Sequence, residues 1–132
     1  MFTHVDPRYL DAVWPNVVDL LDSALKKGHG EMTIDQMKLL VRQGYFQLVV
    51  WHEDENVISA GVVETINYPN FRVARASYLS GRHTEESFAA LKSWCKDVLG
   101  AVEVECFGSD AIARLYDRYG FEKKYNVLRI AL

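Results

Sequence analysis

Apolar residues along the first third of the chain recur at helical spacing. Tyr9, Leu10, Val13, Trp14, Val17, Val18, Leu21 and Leu25 share one side of a 3.6-residue wheel. Lys26-Lys27-Gly28 then supplies the cations and the glycine that close a helix. Pro15 lies inside this pattern and predicts a kink or a split. A short strand over residues 2–5 precedes the helix and ends at Asp6-Pro7. After a loop at 28–32, Thr33 and Gln36 form a capping box, opening a second helix through Ile34, Met37, Leu40 and Val41 that Gly44 stops.

The period then changes from 3.6 to two. The runs at 45–51 ("YFQLVVW"), 57–66 ("VISAGVVETI") and 71–80 ("FRVARASYLS") are aromatic and β-branched, with polar turns between them, and predict an antiparallel meander. A helix follows from about Thr84 to Leu99, with Phe88, Leu91, Trp94, Cys95 and Val98 on one face and Gly100 at its end. "AVEVECF" alternates, with Val102, Val104 and Cys106 inward. Ser109 or Asp110 caps a last helix bearing Ile112, Leu115, Tyr116 and Tyr119, which ends at Gly120. "NVLRIAL" predicts a final strand. This order of elements gives an α+β or α/β domain over 1–132, with a mixed, mostly antiparallel central sheet and helices on both faces.

Composition adds exclusions. The net charge of −3 argues against non-specific nucleic-acid binding, which needs a basic surface. No apolar run approaches a membrane span, and the start "MFTHVDPRY" has no signal-peptide pattern, so a cytoplasmic protein is expected. Cys95 and Cys106 lie in apolar-patterned segments without metal-ligand spacing; reduced, buried thiols and no metal site are expected. His4, His29, His52 and His83 are scattered and form no triad with a nucleophile.

The stretch "SDAIARLYDRYGF" resembles the last-helix pattern N-x-x-A-x-x-x-Y-x-x-x-G-F of the GNAT superfamily of N-acetyltransferases. Tyr116 matches the tyrosine and Gly120-Phe121 the ending; Ala113 is near the alanine, and Ser109 stands where asparagine is usual. The N-terminal "DPRYLDAVWPNVVDLLDSAL", then "GYFQLVV", then "YLSG" before a Trp-containing helix are similar to small GNAT-like proteins encoded by bacteriophages. The resemblance implies acetyl-CoA bound between the strands ending at Ser80 and Phe107, with transfer to a small-molecule or protein amine. It makes Tyr116 the proton donor to the departing thiolate. Tyr78, Leu79, Ser80, Gly81, Arg82, His83 and Thr84 become the cofactor-binding segment, with the diphosphate at the following helix N-terminus. Glu64 is the best-placed carboxylate for a general base, with Glu103 and Glu105 behind it.

Each of these residues also has a plainer reading. Tyr116 shares a face with core residues, Glu64 and the two later acids suit a solvated sheet face or strand end, and Arg82-His83 suits an exposed turn. The loop also departs from the family. Where active members have Q/R-x-x-G-x-G/A, this chain has "LSGRHTEES", with one glycine and with Glu85-Glu86 opening the helix. Those carboxylates suit the helix dipole but repel a diphosphate. A second reading follows: a catalytically degenerate GNAT-like phage protein that binds a host or virion protein or acts in assembly, in the host cytoplasm.

Overall fold

The computed structural model describes residues 1–132. Five strands form one sheet in the order β1 (Phe2–His4), β2 (Gln47–Glu53), β3 (Asn56–Asn67), β4 (Arg72–Gly81) and β5 (Glu103–Glu105). The first four are antiparallel neighbours, and β5 runs parallel to β4. The helices are α1 (Leu10–Lys26), α2 (Ile34–Arg42), α3 (Glu85–Asp97) and α4 (Asp110–Asp117). A parallel pair needs a crossover, and α3 provides it between β4 and β5.

Alternation along the strands feeds two separate cores. Leu48 and Val50 of β2, with Ala60 and Val62 of β3, pack under α1 and α2 against Leu10, Val17, Leu21, Met37 and Val41. Val49, Val63 and Ala74 face the other way, against Phe88, Leu91 and Cys95 of α3 and Tyr116 of α4. The mixed, mostly antiparallel sheet with helices on both faces is the class that the pattern predicts. The capping boxes at Thr33/Gln36 and Thr84/Ser87 fix the starts of α2 and α3.

Four local expectations are corrected. Pro15 does not split α1 or end it; it lies in the second turn, exposed, where it forfeits only one backbone bond near the helix start. Residues 126–132 form no strand. Val102 lies outside β5 and is 69% exposed rather than inward. Val98 is the α3 C-cap and faces solvent, while Trp94 is only half-buried, against the rings of Phe2 and His4 at 5.8 and 5.2 Å. The helical period continued through "WCKDV", but α3 ends before its last apolar residue reaches the sheet.

These burial differences give an expected contrast. Leu21→Ala empties a fully buried position and should cost about 2–5 kcal/mol in denaturant unfolding. Val98→Ala should stay within about 0.5 kcal/mol of the parent. Equal losses in the two variants would contradict the assignment of the α3 face.

Candidate active site

The sheet forks at one place. Val73, Ala74 and Arg75 of β4 pair with Glu103, Val104 and Glu105 of β5, and the pairing stops there. On its other edge β4 continues against β3 as far as Gly81. The register between them shifts, because Val63 faces Ala76 while Val62 faces Tyr78. Ser77 is therefore the extra residue of a β-bulge. A bulge bends its strand and increases the local twist, so β4 turns away where β5 ends. Residues 76–81 are left with no strand on the β5 side.

Ionic contacts hold the branch point. Arg75 Nε donates to Glu105 Oε1 at 2.6 Å, its guanidinium lies 3.7 Å from Glu64 Oε1, and it sits 4.9 Å above the Phe107 ring. Burial alone would weaken the arginine's charge; the Glu105 bond and the charges of Glu105 and Glu64 outweigh it, and the Arg75 pKa rises. Ser77 Oγ donates to Glu64 Oε1 at 2.9 Å. Glu64 is nearly buried on the α1/α2 side of the sheet, and its hydrogen bond and then its charge raise the pKa of the Tyr45 phenol.

Tyr116 lies on the opposite side of the fork. Its ring packs among Phe88, Phe121 and Tyr119, at centroid distances of 5.1, 5.5 and 6.3 Å. Burial, followed by the nearby Cys106 thiol and then Tyr119, pushes the phenol up to about 12. It therefore keeps its proton at any physiological pH. Cys106 lies just past the end of β5 and packs against the same core cluster that holds Tyr116.

The segment 78–84 separates by face. Tyr78 packs with the α1/α2 core, and its phenol is raised by burial and then by Glu31. Leu79 points the other way and covers Gly61, where a Cβ would meet Leu79 Cδ2 at 2.4 Å. Ser80 pairs with Ala60. Gly81 has φ +97°, and a Cβ there would meet the Ile58 carbonyl at 2.3 Å, so glycine is required to end β4. Arg82 donates its amide to Ile58 O and turns its side chain to Glu53 at 3.5 Å. Thr84 caps α3, exchanging hydrogen bonds with Ser87.

His83 turns inward. Its ring contacts Phe88 at 5.1 Å and Tyr116 at 6.4 Å, and its buried Nε2 has no hydrogen-bond partner. Burial lowers its pKa, so the ring is held neutral. It also lines a cavity of about 30 Å³ between the sheet and α3, beside Ser59, Ser87 and Leu79.

An acyl-CoA fits this site in part. The open edge of residues 76–81 suits the peptide-like amides of a pantetheine arm. The loop suits a diphosphate poorly: Arg82 is drawn to Glu53, His83 is inward and neutral, and Glu85 and Glu86 stand exposed in the first turn of α3.

The sequence pointed to Tyr116, Glu64 and the 78–84 segment, but the structure adds Arg75, Ser77 and Cys106. A signal for the bulge was present. Val73 and Tyr78 are apolar and face the same side, yet they stand five positions apart, an odd offset that a regular strand cannot place on one face.

Comparison with solved structures matches the fold. The chain is similar over 100% of its length to an aminoglycoside acetyltransferase from an uncultured soil metagenomic sample in complex with sisomicin, with TM-score 0.74, 11% identity and 95% of that chain covered. It is similar to aminoglycoside N-acetyltransferase AAC(6')-Iy in complex with CoA, with TM-score 0.72, 12% identity, 100% of this chain and 93% of that one. Glucosamine-6-phosphate N-acetyltransferase from Arabidopsis thaliana gives TM-score 0.67 at 14% identity, over 99% of this chain and 97% of that one. No protein-family model matches, and no curated protein matches by sequence. The chain thus has the fold of N-acetyltransferases, at identities that bear on architecture alone.

The buried imidazole gives a pH dependence with a definite sign. The folded pKa of His83 lies below its ordinary 6.5, so the unfolded chain binds that proton more readily. The stability it contributes is present above pH 6.5 and is lost as pH falls through the folded value. His83→Leu should melt with a shallower loss than the parent on acidification from neutral pH. Parallel melting curves for the two proteins would contradict the buried, neutral ring.

Proposed function

We propose that this protein is an N-acetyltransferase that takes acetyl from acetyl-CoA and delivers it to an amine, acting as a single domain in the cytoplasm. The observation that supports this most is the fork itself. Beside the open strand edge of residues 76–81, Glu64 is nearly buried on one face of the sheet, and Tyr116, a protonated phenol, belongs to the core on the other.

Bound acetyl-CoA would supply an acyl thioester, already activated for attack by an amine. The backbone of residues 76–81 would hold the pantetheine arm, with Tyr78, Leu79 and Ser80 near the acyl end. Gly81, Arg82, His83 and Thr84 form the diphosphate loop; Gly81 shapes it, and Thr84 sets the helix start. Tyr116 holds its proton at Oη until a departing thiolate takes it. Glu64 accepts the proton of the incoming amine, directly or through a water, with Ser77 Oγ as the donor that keeps the carboxylate in place. Arg75 orients Glu64 and Glu105 and contacts no reacting atom in this scheme. Cofactor affinity is low in this reading, because Glu85 and Glu86 oppose the phosphates.

A second reading is supported by the loop. With Arg82 paired to Glu53 and His83 neutral, neither loop cation faces the helix N-terminus. On that reading the protein is a catalytically degenerate phage protein that binds a host or virion protein.

Calorimetric titration with acetyl-CoA separates the two. The enzyme reading expects weak binding, tightened about 3–10-fold in Glu85→Gln/Glu86→Gln as the like charges are removed. No heat at millimolar cofactor, in the parent and in the double variant alike, would leave only the binding module. Where an acceptor supports turnover, Tyr116→Phe should lower kcat about 10²–10⁴-fold with the cofactor Kd little changed. Unaltered kcat would remove Tyr116 from the chemistry.

A further inference from the structure

One buried side-chain polar atom in the molecule has no hydrogen-bond partner, the Nε2 of His83. The ring lies against Phe88 and Tyr116 and lines the cavity of about 30 Å³ under α3. Nothing that surrounds it carries a charge. The cavity walls from β1, β2, β3, β4 and α3 supply apolar side chains and the hydroxyls of Ser59 and Ser87. From α4 come two phenols: Tyr116, pushed up to about 12, and Tyr119, whose hydroxyl donates to the His83 carbonyl at 3.2 Å. The thiols of Cys95 and Cys106 pack with the same core, and burial raises both. Burial is also the single cause that lowers the imidazole. A proton on this ring therefore finds no carboxylate, and an unpaired charge is far more costly there than in water.

The loop lets the ring leave without unfolding. Its backbone is anchored on both sides of His83. The Arg82 amide donates to the Ile58 carbonyl at 3.1 Å, and Thr84 caps α3 by exchanging hydrogen bonds with Ser87. Between these anchors, a change of side-chain rotamer carries the imidazole from the cavity toward solvent. Two exposed carboxylates, Glu85 and Glu86, follow two and three positions later in the first turn of α3. The exterior thus offers an imidazolium the counter-charges that the interior lacks.

We propose that His83 is a proton-operated gate on this loop: neutral, it plugs the cavity under α3; protonated by solvent, it swings outward beside Glu85 and Glu86 and makes the loop a better seat for the diphosphate of acetyl-CoA. The ligand in this inference rests on the acetyltransferase reading; the gate itself does not. With His83 inside, the loop's one outward cation is Arg82, and Glu53 holds it at 3.5 Å. An outward imidazolium adds a positive charge where the two glutamates otherwise repel phosphate. Acid therefore tightens the cofactor, and a return to neutral pH withdraws the ring and loosens it.

Histidine ring shifts, followed by NMR from about pH 7.5 to about pH 5 without ligand, test the gate. His83 should titrate below its ordinary 6.5. The amides of residues 81–85 and the methyl groups of Leu79 and Leu91 should move with the same midpoint, while the far-ultraviolet circular dichroism stays constant. A ring that titrates with those methyl groups unmoved, or only as the whole protein unfolds, would overturn the gate. Calorimetric titration with acetyl-CoA at about pH 7.5 and about pH 5.5 tests its consequence. On acidification the parent Kd should fall about 3–10-fold relative to that of His83→Gln, which shares every other protonation of protein and ligand. An equal pH dependence in the two proteins would overturn the role in binding. No heat from the parent at either pH would overturn the acetyltransferase reading and that role together, whereas the ligand-free shifts decide the gate by themselves. Those shifts need no variant, and His83→Asn replaces His83→Gln should the latter misfold.

Discussion

The site in this molecule depends on a parallel strand pair that comes apart after three residues. Strands stay together while each peptide group gains a partner, so parting needs a local cause. The cause lies in β4. Ser77 is inserted as a bulge against β3, and the added bend carries residues 78–81 away from the line of β5. Arg75, the last paired residue, fastens the branch with Glu105 on one arm and Glu64 on the neighbouring strand. The bulge also resets the alternation. Tyr78 reaches the α1/α2 core and Leu79 the α3 core, which they could not do at regular spacing from Val73 and Ala74.

From this opening the rest of the candidate site follows. Cys106 leaves β5 as the strands part, Ser109 starts α4, and α4 returns Tyr116 to the thiol. Tyr116 lies in an aromatic cluster with Phe88, Tyr119 and Phe121, and its phenol stays protonated because it is buried. Packing and the proposed chemistry make the same demand on this residue: both require a neutral phenol held firmly against α3. The loop from Gly81 to Thr84 shows the opposite relation. What stabilises the fold there, the inward His83 and the Arg82–Glu53 pair, removes charge from the place where phosphates would need it.

Much of this was legible in the sequence. Helices α1 to α4, the meander and the parallel crossover follow from period and punctuation, because each element buries one face and ends at a glycine or a cap. The placement of Tyr116 came from a resemblance, Ser109 to Phe121, rather than from periodicity, which makes the tyrosine just another apolar-face residue. The branch point was not read, although the odd spacing of Val73 and Tyr78 marks it. Arg75 reads as a solvated charge in an alternating strand, and only the three-dimensional meeting of β3, β4 and β5 gives it two carboxylates. The final segment departs from expectation for a related reason: "NVLRIAL" has strand chemistry, but a strand also needs a paired neighbour, and residues 126–132 pair with no strand here.

The central claim is that the fork at Ser77 is a binding slot rather than a packing fault. Backbone NMR shifts during titration with acetyl-pantetheine, which has the thioester and amides of acetyl-CoA but no diphosphate, test it without relying on the compromised loop. The largest shifts are expected at residues 76–81 and around Cys106 and Tyr116, with little change at Glu85 and Glu86. Shifts gathered elsewhere on the molecule, or no shifts at millimolar ligand, would contradict it.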